Sequence, residues 1–318
     1  MGKASARKRD ADHRQQKIAA RRAAARRAQV RNRMLLASGA VIAVVATVLA
    51  LVLVKVSSKP AAAPPADGPA GAALASVVKD LTSVSANVLD TVRAGSLSSD
   101  NIGRVSTSDG GYLAPVNGPP LTSGGKPEVL YLGADFCPYC AAVRWPLIVA
   151  LSRFGTFSGL RTTRSAIANG AGQHEPYPAT PTWTFYGSRY TSRYVTFTPV
   201  ELQTNKPDPK TGGYTGLQAP TAAQQELMTR YNSAGSIPFI DIGNAYAQMS
   251  SLAPYGPRDL QDLTWSQIAT ALHNPSSALA KSIDGSANYL TAAFCKLTGN
   301  QPASACTPAV RSLESQLG

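Results

Sequence analysis

The chain has 318 residues, 44% of them hydrophobic, and its 31 Lys and Arg residues outnumber its 18 acidic residues to give a net charge of +13. Twelve of the basic residues and two Asp residues precede residue 34, so this segment carries +10 and the rest of the chain only +3. The folded part is therefore not strongly basic. We expect the basic tail to be a topology signal that also binds anionic lipid, and we expect no nucleic-acid partner.

An apolar run follows the tail. Residues 34–54 are uncharged and dominated by Leu, Val, Ala and Ile, and a run of about 20 such residues spans the core of a bilayer as a helix. Alanines at 61–63 resemble a signal-peptide cleavage site, but the run is longer than the apolar region of such peptides, so we expect an uncleaved anchor. The positive-inside rule predicts a single-pass protein of the cell membrane with a cytoplasmic N-terminus and an extracytoplasmic main domain.

Composition changes sharply after this run. Residues 60–69 are rich in Ala and Pro and predict a spacer that holds the folded part off the membrane. Residues 72–93 predict an amphipathic helix that docks on the main domain, whereas Gly, Ser and Pro punctuate residues 95–126 and predict irregular structure. The apolar stripe of the predicted helix consists of Val77, Leu81, Val84, Val88 and Val92.

The chain thus divides into five predicted segments. The last of them has nearly 190 residues, which is long enough for one sizeable core. The segments are a basic cytoplasmic tail (1–33), a transmembrane helix (34–54), an Ala/Pro linker (55–71), an amphipathic helix with an irregular segment (72–126) and a main domain (127–318).

The most informative motif is Cys137-Pro138-Tyr139-Cys140, which lies between a predicted strand at 128–133 and a predicted helix at 141–154. Unpaired backbone N–H groups and the positive end of the helix dipole favour the thiolate of a cysteine at the first turn of a helix. Cys137 is therefore the candidate nucleophile. Cys140, one helical turn on, is placed to attack a mixed disulfide formed at Cys137. The predicted chemistry is dithiol–disulfide exchange.

The later elements alternate between strands and helices. Residues 160–167 predict a strand, and residues 219–231 predict a helix that runs into an apolar strand at 235–243. Proline opens this last strand although proline cannot donate to a ladder. A turn-like or cis Ile237–Pro238 bond would explain its presence.

Two aromatic and β-branched segments lie between these elements. Residues 182–187 and 194–200 are separated by a polar stretch and predict a β-hairpin. We expect its aromatic face to pack in the core rather than to bind peptide, because strands that alternate Trp, Phe and Tyr usually bury these side chains. An inserted segment beside the cysteines is still the natural place for substrate selectivity, which we state as a hypothesis.

The motif before a helix, combined with a proline at the start of a later strand, resembles the thioredoxin superfamily. Within it the chain is most similar to a membrane-anchored, thioredoxin-like group of actinobacteria and archaea, known as domain-of-unknown-function family 929. The residues that carry the resemblance are 132–146, 184–188, 236–241, 263–268 and the Cys295, Cys306 pair.

The resemblance implies an α/β, thioredoxin-like fold with an inserted β-rich subdomain at about 168–218, preceded by a single transmembrane helix. An insert is required because nearly a hundred residues separate Cys140 from Pro238, more than a thioredoxin domain uses. The resemblance also implies exchange chemistry at Cys137 and Cys140, with Pro238 beside the sulfurs. The residues expected to support the active site are Phe136, Pro138, Tyr139, Ile237 and Pro238.

All four cysteines lie after the predicted anchor, where an oxidising environment lets disulfides persist. Cys295 and Cys306 flank a polar, turn-rich loop, and a structural disulfide that contributes roughly 3 kcal/mol is the preferred interpretation. A second redox pair that relays electrons to Cys137 and Cys140 is the alternative. The histidines and cysteines form no zinc-binding pattern, and His174 is expected in a solvated loop, so no metal or cofactor is expected.

Two functions fit the sequence. The first is a membrane-anchored, extracytoplasmic thiol–disulfide oxidoreductase that acts on thiol- or disulfide-containing proteins and is recycled by a membrane redox partner. The second is a redox-silent binding or assembly module in which Cys137 and Cys140 form a permanent disulfide. We favour the first, because a structural bridge has no need of a place at a helix N-terminus. The direction of electron flow stays open.

Overall fold

A computed structural model describes residues 68–97, 113–249 and 255–317. The predicted basic tail, the predicted transmembrane helix at 34–54 and most of the linker lie outside the described residues. Among the helices that are described, none combines the length and the apolar character that a membrane crossing requires.

The described part of the chain contains twelve strands and seven α-helices. The helices are α1 (Gly71–Thr82), α2 (Ala86–Val92), α3 (Pro138–Ser152), α4 (Ala222–Tyr231), α5 (Trp265–Ala271), α6 (Ala278–Leu297) and α7 (Pro308–Glu314), with a short 3-10 helix at Pro257–Leu260. The strands are β1 (Ala114–Pro115), β2 (Thr122–Ser123), β3 (Lys126–Gly133), β4 (Gly155–Ser158), β5 (Arg161–Arg164), β6 (Pro181–Thr184), β7 (Arg189–Ser192), β8 (Thr196–Glu201), β9 (Gln203–Pro207), β10 (Tyr214–Gly216), β11 (Phe239–Ile242) and β12 (Tyr246–Met249).

The main sheet is mixed and is centred on β3. Its strands follow the order β1-β12-β11-β3-β2, and β8 also pairs with β3. β3 and β8 are parallel, with Glu128 opposite Thr196 and Gly133 opposite Glu201, whereas β11 and β12 are antiparallel to their neighbours. The fold is therefore mixed α/β.

Helices cover both faces of this sheet. Side chains alternate along a strand, so Val129 and Tyr131 of β3 contribute to one apolar core, which includes residues of α3, α5 and α6. Leu130 and Leu132 contribute to a second, smaller core that includes Met228 of α4. A strand that packs against a core on each face needs apolar side chains at consecutive positions, which explains the apolar run Val129–Leu132 in β3. The sheet thus holds the C-terminal end of β3 at a fixed point between two helical layers.

The N-terminal segment contains two helices instead of the one predicted at 72–93. The break falls at residues 83–85, where the side chain of Ser85 accepts a hydrogen bond from Val88 N and caps α2. A serine that caps a new helix competes with helix continuation. Of the predicted apolar stripe, Val77 and Leu81 belong to the main core and Val84 packs against it, so this part docks on the main domain as predicted, whereas Val88 is only half-buried.

The predicted hairpin between residues 182–187 and 194–200 is wrong. β6 pairs with β5, β7 pairs with β4, and β8 joins the main sheet as the parallel neighbour of β3. The polar stretch between the two segments is itself a strand, β7. Composition and alternation identify strands but do not choose their partners. Residues 196–201 therefore belong to the main sheet, although they fall inside the insert predicted at about 168–218.

The expected burial of the aromatic side chains in this region is confirmed. Trp183 is fully buried and meets Trp145 of α3 edge-on, with 5.5 Å between ring centroids. Phe185 and Phe197 are also buried, 4.9 Å apart. The indole N–H of Trp265 donates to Thr182 O at 2.6 Å, so α5 is fastened to β6.

Other predicted boundaries shift by a few residues. α3 begins at Pro138 rather than at 141, α4 begins at Ala222 rather than at 219, and the strands predicted at 160–167 and 235–243 are limited to β5 and β11. Thr221 explains the start of α4, because its side chain accepts from Gln224 N in a capping box. The segment predicted to be irregular at 95–126 contains β1 and β2.

Candidate functional site

Cys137 lies at the junction between β3 and α3. β3 ends at Gly133, and α3 begins at Pro138 with Cys137 as its N-cap. Proline is favoured at the first helical position because its missing N–H is not needed there. The sulfur of Cys137 accepts a hydrogen bond from the backbone N–H of Cys140, with 3.2 Å between the two atoms. The helix start thus directs a free N–H group at the sulfur, as the sequence predicts for a nucleophile.

Cys137 and Cys140 are both free thiols, and their pKa values are shifted in opposite directions. Burial raises the pKa of Cys137, but hydrogen bonds from the side chain and backbone of Cys140 and the charge of Arg144 outweigh burial, so the pKa is lowered. Burial, together with the Cys137 sulfur, raises the pKa of Cys140 well above its ordinary value. Cys137 is 5% exposed and Cys140 is fully buried. Both side chains are therefore buried, Cys137 is the more acidic thiol of the pair, and the thiol of Cys140 stays protonated.

The start of β11 faces the Cys137 sulfur. β11 runs antiparallel to β3 with Phe239 opposite Leu132, so the residues just before β11 lie at the C-terminal end of β3. The Cys137 thiol donates to Ile237 O, at 3.8 Å. The Ile237–Pro238 bond is cis, which confirms one of the two conformations that the sequence suggested.

Two aromatic residues from the segments around β8 bracket the motif. Phe136 stacks on Tyr214 of β10, with 4.2 Å between ring centroids, and Tyr139 meets Tyr177 edge-on at 6.2 Å. The backbone of Phe136 also accepts a hydrogen bond from Ala166 N at 2.9 Å. The segment at residues 166–180 and the β9–β10 hairpin therefore both contact residues of the motif region, Phe136 and Tyr139.

These two segments are bonded to each other as well. Gly170 N donates to Gly213 O at 2.9 Å, and Ala171 N donates to Gly212 O at 3.1 Å. Together they form a wall, which we call the collar and define as residues 166–180 and 203–216. The two large apolar side chains that stay exposed in the described part of the chain, Tyr139 (38%) and Ile167 (60%), belong to the motif and to the collar.

A buried charge cluster that the sequence reasoning missed lies behind the cysteines. Arg144 makes a bidentate ion pair with Glu201 at the end of β8, with 3.0 Å from Nε to Oε1 and 2.7 Å from Nη2 to Oε2. Oδ1 of Asp135 is 3.6 Å from Nη2 of the same guanidinium. All three residues are completely buried. An Arg one turn after Cys140 in an otherwise apolar helix was the available signal, because a charge is almost never fully buried unless it is paired.

Cys295 and Cys306 form the predicted disulfide, and both are buried. Arg153, just after α3, donates to Ala305 O beside this bridge at 2.7 Å, whereas Cys137 lies at the opposite end of α3. A helix of this length, 15 residues, spans about 22 Å. The two cysteine pairs are thus held apart by α3, which favours a structural bridge over a direct relay.

The histidines lie elsewhere. His174 is exposed in the collar, in agreement with the predicted solvated loop, and His273 Nε2 is 2.9 Å from Asp80 O, where α1 meets the end of α5. Within the described ranges, no three His, Cys, Asp or Glu side chains are grouped so as to hold a metal ion.

Fold and site together define a mixed α/β protein with a Cys-Pro-Tyr-Cys pair at the start of a buried helix. The family model "Domain of unknown function (DUF929)" matches residues 112–296, which include this pair, the Ile237–Pro238 bond and Cys295. The chain belongs to the DUF929 family. No curated protein and no solved structure matches it.

Proposed function

We propose that the protein is a thiol–disulfide oxidoreductase with a thioredoxin-like fold. One observation carries this proposal: Cys137 caps α3, accepts the Cys140 N–H at 3.2 Å and has a lowered pKa. Thiolate, not thiol, is the nucleophile in disulfide exchange. A buried structural bridge gains nothing from a lowered pKa, so the arrangement favours catalysis over a permanent disulfide.

The sheet order supports the thioredoxin-like part of the proposal. The parallel pair β3 and β8 is joined through α3, and β11 and β12 extend the sheet on the other side of β3, both antiparallel to their neighbours. A CxxC motif that follows the first strand of such a βαβ unit is typical of thioredoxin-like redox domains. The additional segments lie before β8, at residues 155–195, and after it, at 203–216.

The reaction follows from the two sulfurs. The Cys137 thiolate attacks a substrate disulfide, forming a Cys137–substrate S–S bond while the second substrate sulfur leaves as a thiolate. Cys140 then attacks Cys137, the Cys137–Cys140 bond forms and the first substrate sulfur leaves. The substrate gains the two electrons that the cysteine pair loses. Read in reverse, the same steps oxidise a dithiol substrate.

The location of the reaction is part of the proposal. The apolar run at 34–54 and the basic tail before it support a single-pass anchor with the main domain outside the cytoplasm. Substrates are thiol- or disulfide-containing proteins near the membrane surface. Because the pair must be restored after each turnover, the proposal includes a membrane redox partner.

A redox titration tests this function. The full chain, purified in mild detergent, is equilibrated in glutathione buffers and the thiols of Cys137 and Cys140 are quantified by alkylation, with Cys295→Ala/Cys306→Ala as control. We expect a reversible midpoint between about −120 and −270 mV, the range of exchange catalysts. A pair that stays oxidised below about −300 mV, as structural disulfides do, would overturn the proposal.

A further inference from the structure

We propose that Glu175, a residue of the collar, selects protein substrates in which the reacting cysteine is flanked by lysine or arginine. This inference rests on the proposed function and names the class of substrate that its site prefers. It is carried by the position of the Glu175 carboxylate, which is half-buried next to the motif region and has no ion-pair partner in the part of the chain that the structure describes.

The backbone of the collar places Glu175 close to the motif. Glu175 N donates to Ile167 O at 2.9 Å, and Ala166, the residue before Ile167, donates its N–H to Phe136 O, also at 2.9 Å. Phe136 directly precedes Cys137 in the chain. Two backbone hydrogen bonds and two peptide links therefore connect Glu175 to Cys137.

The side chain of Glu175 is held at the same place by Tyr214. The phenol of Tyr214 donates to Glu175 Oε1 at 2.5 Å, and its ring stacks on Phe136 with 4.2 Å between centroids. Burial, the Glu175 carboxylate and, more weakly, the charge of the Cys137 sulfur raise the pKa of Tyr214. Tyr214 is therefore a positioning residue, because it holds the carboxylate where the phenol between them also feels the charge of Cys137.

The Glu175 carboxylate differs from the two acids that lie behind the cysteines. Asp135 and Glu201 are completely buried and share the guanidinium of Arg144. Glu175 is partly exposed, and its charge is not compensated by a neighbouring cation. A positively charged group on a substrate can therefore pair with Glu175 without displacing an ion pair of the protein.

Two lysines of the collar oppose the charge of Glu175 only in part. Lys206 and Lys210 are exposed on the β9–β10 hairpin, and Asp208 lies between them in the chain. Water and salt strongly screen exposed charges. Glu175 is half-buried and bonded to Tyr214, so solvent weakens its field at Cys137 less.

The selection acts on the approach of the substrate and not on the chemistry of the sulfurs. A Lys or Arg one or two positions from the substrate disulfide is attracted by Glu175 while Cys137 attacks, whereas an Asp or Glu at that position is repelled. Attraction of one substrate and repulsion of the other both contribute to discrimination.

Alkylation of the reduced full chain tests whether the charge of Glu175 reaches Cys137. Iodoacetamide is neutral and iodoacetate is an anion, so the ratio of their rates at Cys137, relative to the ratio for 2-mercaptoethanol, reports the local potential. We expect the wild type to favour iodoacetamide, and Glu175→Gln to lower the ratio by about threefold at about 10 mM ionic strength. Asp90→Asn is the control, because the charge of Asp90 acts on Arg153 just after the opposite end of α3, and it should leave the ratio unchanged.

Two disulfide-bonded peptides that differ only in a Lys or a Glu beside one cysteine test the selection itself. In single turnovers of the reduced full chain, we expect a second-order rate constant about 5- to 30-fold higher for the Lys peptide at low salt, and a difference of about twofold or less in about 0.5 M salt. Glu175→Gln should remove most of this preference, and Glu175→Lys should reverse it.

Tyr214→Phe provides a second route to the same answer. Phe keeps a ring to stack on Phe136 but removes the O–H that holds Glu175, so the preference for the Lys peptide should decrease while the carboxylate is still present. This variant decides the question if neither Glu175 variant folds, and a preference that it leaves unchanged would then overturn the assignment.

Three other results would overturn the assignment and leave the proposed function intact. They are equal rates of the wild type with both peptides, a preference that Glu175→Gln leaves unchanged, and a wild-type preference for the Glu peptide, which would mean that the lysines of the hairpin set the local potential. If neither peptide reacts although iodoacetamide alkylates Cys137, the proposed function fails and the substrate assignment fails with it.

Discussion

The Cys137 sulfur lies 3.8 Å from the carbonyl oxygen of Ile237, which is 100 positions later in the chain. Two elements produce this contact: α3 places the sulfur at the end of β3, and the antiparallel pairing of β11 with β3 brings the residues before β11 to the same end. The sulfur therefore lies between a helix N-terminus and the start of a strand, in contact with both.

The lowered pKa of Cys137 should depend on Cys140. The Cys140 side chain is the largest of the interactions that lower this pKa, although burial opposes them all. We expect Cys140→Ala to move the midpoint of Cys137 alkylation by iodoacetamide to higher pH, measured as a pH–rate profile. Cys140→Ser retains a hydroxyl donor and should give a midpoint closer to that of the wild type. Identical midpoints for Ala and Ser would contradict this account.

Asp241 should make the protein less stable as the pH rises. Burial raises its pKa to about 6 from 3.8, so between these values the unfolded chain is ionised while the folded chain still holds the proton, and stability falls as the pH rises through this window. Asp241→Asn retains an oxygen to accept the Asn244 N–H. We expect it to be more stable than the wild type by roughly 2 kcal/mol at pH 8, with no difference below pH 4.

Denaturant unfolding at both pH values checks this prediction. Asp262→Asn is the control, because Asp262 is exposed and its positive φ of 64° suits Asn as well as Asp. A gain in stability that is the same at pH 4 and pH 8 would show that packing or hydrogen bonding, rather than titration of Asp241, is responsible.

The sequence predicts the local part of this site and misses the parts that depend on distant pairing. Cys137, the strand before it and the helix after it are contiguous, so helix-cap chemistry identifies them. Glu201 meets Arg144 across 57 positions only because β8 pairs with β3, and the sequence instead predicted that β8 forms a hairpin. The charge cluster could not be assembled without that pairing.

Arg144 should be required for stability because it neutralises two buried carboxylates. Arg144→Met leaves Glu201 buried without the guanidinium that pairs with both of its oxygens, and removing one partner of a buried ion pair costs roughly 3–5 kcal/mol. The double variant Arg144→Met/Glu201→Gln removes one of the stranded charges and should recover at least half of this loss. A double-mutant cycle in urea measures the coupling, and additive losses would contradict a direct pair.

The Cys295–Cys306 disulfide should act on stability and not on exchange. It closes a loop with a sequence separation of 11, and Cys295→Ala/Cys306→Ala should lower the free energy of unfolding by about 3 kcal/mol in the chain-entropy model. Because α3 separates this bridge from Cys137, the alkylation profile of Cys137 should be unchanged at temperatures where the variant is folded. A shift in that profile would contradict a purely structural role and favour the alternative in which Cys295 and Cys306 relay electrons to Cys137 and Cys140.

Ile167 should matter for protein substrates and not for small disulfides. It is 60% exposed in the collar, whose Ala166 is bonded to the backbone of Phe136 beside Cys137, so an unfolded polypeptide that reaches the sulfur would contact it, whereas a small disulfide would not. A charge placed there opposes burial of apolar substrate surface, and a few buried methylene groups correspond to about 1–2 kcal/mol. We expect Ile167→Asp to lower kcat/KM for an apolar, disulfide-bonded peptide by about 5- to 30-fold. With 5,5′-dithiobis(2-nitrobenzoate) its rate should be unchanged.

Ser312→Asp is the control for Ile167→Asp, because it places the same charge on the exposed face of α7 and should affect neither substrate. Equal losses of rate with both substrates would mean that Ile167 supports Cys137 itself. An unchanged rate with both substrates would show that Ile167 of the collar does not contribute to substrate selection.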